Sequence, residues 1–110
     1  MNRCNTPGCD CCERVPGLSL LPDAEAERLA RLGKALSDPI RIQILHLLEQ
    51  HADLCNCEFE DLLGLTQSKT SYHLKVLLEA RLITRRIAGT WSHYSLVNPN
   101  PLDHLRTMQP

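Results

Sequence analysis

The hydrophobic positions of this chain change their spacing once, near residue 80. Before that point they recur every three or four residues, as Leu29, Leu32 and Leu36 do, which is the spacing of an amphipathic α-helix. From Ile83 to Leu96 the side chains alternate instead, which is typical of half-buried strands. The pattern therefore predicts a mainly α protein with a β-hairpin, an α+β arrangement.

Two helices are predicted in the first half of the chain. The first runs from about Asp23 to Leu36, and acidic residues at its start suit the helix dipole. The second begins at Pro39 and ends near His51. Asp38 is placed to cap this helix, and proline is well tolerated at the first helical position because its missing N–H is not needed there.

A helix-turn-helix is predicted next. The short helix Glu58–Leu63 is followed by Gly64-Leu65-Thr66 and by a longer helix from Gln67 to about Ala80. Gly64 suits the left-handed conformation that ends a helix, and Thr66 can cap the helix after it. With the hairpin that turns at Ala88-Gly89-Thr90, the order of elements predicts a winged helix-turn-helix.

The domain boundaries follow from the same pattern. Residues 1–22 form a cysteine-rich N-terminal tail, because prolines and glycines there make a regular helix improbable. Residues 23–98 form the winged helix-turn-helix domain. Residues 99–110 form a short C-terminal segment with room for one short helix after Pro101.

Composition narrows the class of protein. The 110 residues are 43% hydrophobic, which suits one domain with a modest core. No apolar run approaches the roughly 18 residues of a membrane helix, and the first residues lack the apolar stretch of a signal peptide. A cytoplasmic protein is expected. Thiols stay reduced there, so the six cysteines are predicted to be ligands or redox groups rather than disulfides.

The charge is distributed unevenly. The net charge is −1, yet between Thr66 and Leu96 five basic residues oppose Glu79 alone, and a local basic face can bind phosphates. Short polar side chains near a helix start can reach base edges, and basic ones neutralise phosphates. The predicted DNA-contacting residues are Gln67, Ser68, Lys69, Ser71, Tyr72, His73 and Lys75 on the helix and Arg85, Arg86 and Thr90 on the hairpin. Trp91 and Tyr94 are interpreted as core residues of the wing.

Cys55 and Cys57 stand directly before the helix-turn-helix. On a regular helix their sulfurs would diverge by roughly 200° because each residue turns about 100°, so both can meet one ion only where the helix start bends. Further thiolates would come from the tail, which carries Cys4, Cys9, Cys11 and Cys12. Thiolates select zinc, cadmium, lead or trivalent arsenic and antimony. Binding there could misalign the helix that reads DNA.

Other interpretations of the thiols stay open. They could be inert and buried, hold a structural zinc ion, or act as a redox switch. As whole functions, the alternatives are a metal buffer and a thiol-redox regulator. An enzyme is not expected, since no histidine is tied to a nucleophile by a readable motif and a chain of 110 residues leaves little room for a substrate cleft.

Four stretches resemble the ArsR/SmtB family of metal- and metalloid-responsive repressors: ALSDPIRIQILHLL, LCNCEFEDLL, LTQSKTSYHLKVL and ARLITRRIAGTWSHYSL. The resemblance covers about Leu29 to Leu96 and implies a homodimeric winged-helix repressor that leaves operator DNA when an ion binds. It also implies that the Asp23–Leu36 helix and the C-terminal segment form the dimer interface, with two reading helices in successive major grooves.

The resemblance also bears on the ion. GTWSHYSL is similar to arsenic-responsive members, so arsenite or antimonite is the first choice of inducer, and cadmium, lead or zinc is the alternative. Members with a complete triad in this helix have a third cysteine where this chain has Glu60. That departure favours a tail cysteine as third ligand. The family's second site, on a long last helix, is not matched, since Asp103 and His104 are adjacent.

Overall fold

The computed structural model describes residues 16–97 and 99–108. Within these ranges the chain forms five helices and one three-stranded antiparallel sheet. In chain order the elements are α1 (Asp23–Ala35), α2 (Pro39–Gln50), β1 (Leu54–Cys55), α3 (Asn56–Leu63), α4 (Gln67–Glu79), β2 (Ile83–Ala88), β3 (Trp91–Leu96) and α5 (Pro101–Thr107). This is the winged helix-turn-helix that the sequence predicted, with α3 and α4 as the helix pair and β2 and β3 as the wing.

The helix boundaries agree with the sequence predictions except around the cysteine pair. There, α3 begins at Asn56 rather than Glu58, and a two-residue strand, β1, precedes it. No pattern in the sequence indicated β1, because two residues are too few for a detectable alternation of polar and apolar side chains. β1 is held by its pairing with the distant strand β3.

Local capping explains where the helices start and stop. The Asp38 carboxylate accepts a hydrogen bond of 2.7 Å from the backbone N–H of Ile40, and the Thr66 hydroxyl accepts one of 3.2 Å from the N–H of Lys69. Gly64 ends α3 with φ of 65°, in the left-handed region. All three residues act as the sequence predicted, and Gly64 and Thr66 fix the turn between α3 and α4.

One hydrophobic core joins all the elements. It lies between the helices and the root of the sheet and takes residues from each helix. Its fully buried side chains include Ala35 of α1, Ile44 and Leu45 of α2, Phe59 of α3 and Leu74 and Leu77 of α4. Leu102 of α5 is buried in the same cluster, so the short C-terminal helix packs against the winged-helix core.

The sheet has the strand order β1-β3-β2. The wing turns at Gly89, whose φ of 62° is accessible at little cost to glycine. Tyr94 is 6% exposed, which confirms its prediction as a core residue, but Trp91 is 53% exposed and its prediction was wrong. Trp91 pairs with Ala88 beside the turn, whereas Tyr94 lies lower in the strand, where its ring contacts Phe59 edge-on at 6.1 Å between centroids.

Glu49 anchors the C-terminal helix. Its carboxylate accepts hydrogen bonds from both terminal nitrogens of Arg106, at 2.7 and 2.8 Å, and also from the side-chain amide of Asn100. His46 is also hydrogen-bonded to this carboxylate, at 2.9 Å. The bonds from Arg106 and the one with His46 lower the pKa of Glu49 to about 2. No helix in residues 16–97 or 99–108 is long and apolar enough to cross a lipid bilayer.

Candidate DNA-binding face and cysteine site

The DNA-binding face predicted from the sequence is the outer surface of α4 together with the wing. Except for His73, every predicted contact residue on these elements has an exposed side chain. The Thr66 hydroxyl caps the first turn of α4 by accepting a hydrogen bond from the N–H of Lys69. The positive end of the helix dipole lies at this turn and favours phosphate. We refer to this surface as the DNA face.

An open groove separates α4 from the wing. Gln67, Ser71 and Lys75 line it on the helix side, and Arg85 and Thr90 line it on the wing side. Five residues that were selected from two separate stretches of sequence are thereby brought onto one concave surface. Glu79 also lines the groove, beyond Lys75 on α4, so the positive charge is concentrated toward the start of the helix.

His73 does not belong to the exposed part of this face. Its side chain is only 8% exposed, and its Nδ1 lies 2.9 Å from a terminal nitrogen of Arg41 in α2. The prediction that His73 is exposed to contact DNA was therefore wrong. The position lies one residue past the exposed Tyr72, on the side of α4 that faces α2, and the sequence could not indicate the buried arginine that pairs with it.

Arg86 is exposed but engaged in an ion pair. Its guanidinium lies 2.6 Å from the carboxylate of Asp53, just before β1. The other oxygen of Asp53 is 3.6 Å from Nδ1 of His93 in β3, and neither of these two buried atoms has a hydrogen-bond partner in the part of the chain that the structure describes. Asp53 therefore connects the segment before the cysteine pair to both strands of the wing.

The cysteine pair spans the junction between β1 and α3. Cys55 is the N-cap of α3, with extended φ and ψ of −86° and 161°, and Cys57 is the second residue of the helix. Because Cys55 is extended, the two side chains do not diverge as they would inside a helix. Their sulfurs meet even though their Cα atoms, 5.5 Å apart, are no closer than in a regular helix. The bend that the sequence analysis required at the helix start is present.

The structure joins the two sulfurs as a disulfide, whereas the sequence analysis favoured free thiols. The Cα separation lies in the ordinary range for a disulfide. The same proximity allows both sulfurs, when reduced, to contact a single ion. The N–H groups at the start of α3 favour an anionic sulfur at this position, and the Glu58 carboxylate accepts a 3.0 Å hydrogen bond from the Cys55 N–H.

The remaining predicted ligands, Cys4, Cys9, Cys11 and Cys12, lie outside the described residues. Within 16–97 and 99–108, no three His, Cys, Asp or Glu side chains are grouped so that they could hold a metal ion. Completion of the site by tail cysteines stays a prediction. Glu60, which stands where a third cysteine was considered, lies one turn after Asn56 and accepts a 3.4 Å hydrogen bond from its side chain.

The backbone around the cysteine pair connects it to both parts of the DNA face, the wing and α4. Cys55 pairs with His93 and Leu54 with Tyr94 across β1 and β3, which connects the pair to the wing. Phe59, two residues after Cys57, is fully buried against Tyr94. The α3 helix then leads through Gly64 into α4. We call this meeting of β1, α3 and β3 the cysteine junction.

The sequence analysis did not identify three features that help to build these two sites: β1, Asp53 and Arg41. Only Arg41 had a usable signal, since it is a charged residue at a position in α2 flanked by the inward-facing Ile40 and Ile44. Asp53 and β1 act through partners more than 30 residues away, and no local pattern reports such contacts.

Comparisons with known proteins agree with this geometry. Residues 38–85 match the family described as bacterial regulatory protein, arsR family. An arsenical resistance operon repressor from Bacillus subtilis is 49% identical over 63 residues, which are 57% of this chain and 60% of that protein. The match thus spans less than two thirds of that relative's length.

Solved structures are also similar. The AntR antimony-specific transcriptional repressor has 27% identity and a TM-score of 0.65, covering 84% of each chain. A homodimeric winged helix-turn-helix DNA-binding domain from Mycobacterium bovis has 29% identity and a TM-score of 0.66, covering 84% of this chain and 82% of that one. The sequence matches, the helix pair and the wing agree: this chain belongs to the ArsR family of bacterial regulatory proteins.

Proposed function

We propose that this protein is a homodimeric, cytoplasmic transcriptional repressor that is released from operator DNA when trivalent arsenic or antimony binds Cys55 and Cys57. The observation that carries the proposal is the position of the cysteine pair. It lies where β1, α3 and the wing strand β3 meet, so a change in its geometry acts on both parts of the DNA face.

The DNA-binding half rests on the groove between α4 and the wing. Lys75 and Arg85 line it from opposite sides, and Lys69 is exposed at the start of α4. A symmetric dimer would present two such faces, each with one reading helix for a major groove of a palindromic site. The homodimeric relative from Mycobacterium bovis supports this assembly.

The choice of ion rests on the donors. Two sulfurs that can approach one another bind soft, thiophilic ions in preference to hard ones. The names of the B. subtilis and AntR relatives refer to arsenicals and antimony, which supports these metalloids as inducers. A tail thiolate from Cys9, Cys11 or Cys12, with Cys4 as a further candidate, would complete the site. Cadmium, lead or zinc is the alternative with the same donors.

Release from DNA would follow because the cysteine pair is connected to both α4 and the wing. Drawing Cys55 and Cys57 toward a third thiolate shifts the start of α3, and the capped turn from Gly64 to Thr66 transmits that shift to α4. The pairing of Cys55 with His93 transmits it to the wing. Displacement of about 1 Å breaks several hydrogen bonds to DNA at once, each worth roughly 1 kcal/mol or more.

The test is an operator-release titration of the reduced protein with arsenite. Cys55→Ser and Cys57→Ser should bind DNA as the wild type does, yet require at least about a hundredfold more arsenite for release, because each lacks one of the strong sulfur bonds. Asp61→Asn, at an exposed position of α3 that is not a candidate ligand, is the control and should release as the wild type does. Normal release of either Cys55→Ser or Cys57→Ser would show that the site assignment is wrong.

A thiol-redox regulator is the second candidate, and the proximity of the Cys55 and Cys57 sulfurs favours it. Peroxide would oxidise the two thiols to the disulfide and be reduced to two molecules of water. Under this function, peroxide in metal-free buffer releases the protein from DNA and dithiothreitol restores binding, while arsenite has no effect. Release by arsenite under reducing conditions supports the first proposal instead.

A further inference from the structure

A buried polar pair connects the reading helix to the two helices behind it. Arg41 of α2 is 5% exposed and His73 of α4 is 8% exposed. One terminal guanidinium nitrogen of Arg41 lies 2.9 Å from Nδ1 of His73. Charged arginine is seldom buried without several partners, so the remaining contacts of Arg41 show what the pair holds together.

Arg41 binds the end of α1 with its other nitrogens. Its Nε donates a 2.9 Å hydrogen bond to the carbonyl of Ala35, and its second terminal nitrogen donates one of 3.1 Å to the carbonyl of Lys34. These carbonyls belong to the last turn of α1, where helix backbone oxygens lack internal partners. A single side chain thereby ties together α1, α2 and α4.

The direction of the Arg41–His73 hydrogen bond fixes the protonation state of the histidine. A guanidinium has only donors, so Nδ1 of His73 must be the acceptor and must carry no proton. Burial, which is the largest effect, and the positive charge of Arg41 lower the pKa of His73, and Asp38 opposes this only in part. Asp38 lies 3.8 Å from Arg41, and the Tyr72 ring is the neighbour on the same helix.

We propose that Arg41 and His73 are positioning residues for DNA binding, which set the orientation of α4 relative to α1. This inference rests on the proposed dimer, in which α1 forms the interface. The spacing of the two reading helices must then match one turn of DNA, and it depends on the angle between α1 and α4 in each subunit. Protonated His73 cannot accept the bond, so acid would loosen this angle.

The experiment uses the reduced full chain and a DNA duplex selected from a randomised pool by the wild-type protein. His73→Leu removes the acceptor and His73→Asn keeps one, because the asparagine Oδ1 occupies nearly the same place as the imidazole Nδ1. At pH 7.5 and below the unfolding temperature, His73→Leu should lose at least tenfold in DNA affinity while His73→Asn stays within about threefold of the wild type.

A pH series separates positioning from simple stability. Acid can change the DNA affinity of every variant through groups that the variants share, so the informative quantity is the affinity ratio of wild type to His73→Asn. This ratio should fall as the pH is lowered from 7.5, because only the wild type can protonate residue 73. The fall should begin below the ordinary histidine range, because burial lowers the pKa of His73. His51→Asn, an exposed histidine at the end of α2, should follow the wild type throughout.

Three results would overturn the proposal. His73→Leu could be folded and bind DNA as tightly as the wild type, or His73→Asn could bind as weakly as His73→Leu. The third is a wild-type to His73→Asn ratio that stays flat down to the lowest pH at which both proteins remain folded. Where His73→Leu does not fold, the pH series with His73→Asn decides. None of these measurements involves an ion, so a failure here is distinct from a failure of arsenite release.

Discussion

The DNA face and the cysteine junction are built in opposite ways. The DNA face uses a 13-residue helix and two six-residue strands, and its predicted contact residues other than His73 are exposed. The cysteine junction consists of a two-residue strand and an eight-residue helix that meet the wing, and Cys55 is buried. One region is a long scaffold that displays side chains, and the other is a short connection between larger elements.

This difference suits the two roles in the proposed repressor. A surface that reads DNA must hold many side chains at fixed separations, which long, capped elements achieve. A sensor must change its geometry at a cost that ion binding can offset, and a junction with few residues offers that. Substitutions in the DNA face are therefore expected to change the affinity for DNA. Substitutions in the cysteine junction are expected to change the response to the ion.

The strongest test of this division is the removal of charge from the DNA face. Lys69→Ala combined with Lys75→Ala should lower DNA affinity by about 10- to 100-fold. The slope of log affinity against log salt should become shallower by about 0.9 for each phosphate that is no longer neutralised. Arsenite sensitivity of the residual binding should be unchanged. Lys34→Ala, on α1, is the control, and the affinity measured across a salt series is the readout.

If the double lysine variant keeps the wild-type salt dependence, α4 is not the docking surface. If it instead stops responding to arsenite, the DNA face and the cysteine junction do not act separately. Either result would contradict the division of roles between the two regions.

A smaller effect is expected at the ion pair that links the regions. Asp53→Asn removes the negative charge that pairs with Arg86, and an exposed ion pair contributes only about 0–1 kcal/mol to stability. DNA affinity without inducer should stay within about threefold of the wild type, because the groove residues are untouched. The arsenite concentration for half release should rise several-fold, since one connection from the cysteine junction to the wing is removed.

Asp61→Asn, an exposed acid on α3, is the matched control and should behave as the wild type. Equal arsenite responses of Asp53→Asn and the wild type would mean that the wing receives no signal through Asp53.

The smallest effect concerns the turn between α3 and α4. Gly64 has a φ of 65°, whereas Gly33 lies within α1. At both positions no neighbouring atom lies within 4 Å of an added Cβ. Gly64→Ala should lower the free energy of unfolding by about 1 kcal/mol through backbone strain. Gly33→Ala should raise it by up to about 1 kcal/mol through helix propensity, unless α1 packs closely against a partner at that position.

Thermal unfolding of both variants measures the difference. A Gly64→Ala protein as stable as the wild type would mean that the turn can relax to another conformation, and the coupling of α3 to α4 through a fixed turn would then be excluded.

The sequence by itself determined the order of elements and most of the DNA face. Helical and alternating patterns, the caps at Asp38 and Thr66 and the glycine at position 64 are local features, and each depends on neighbours within a few residues. The exposed positions of α4 follow from the same periodicity. The C-x-C spacing at Cys55 and Cys57 also identified the candidate sensor without any structure.

Only the tertiary structure decided which of these residues act together. It turned His73 inward onto Arg41, left Trp91 in the solvent, paired β1 with β3 and joined Asp53 to Arg86. The contacts of His73, β1 and Asp53 all join residues that are distant in the chain. Such contacts are set by how the elements pack, because a single sequence encodes local propensities directly but encodes long-range pairing only through the folded core.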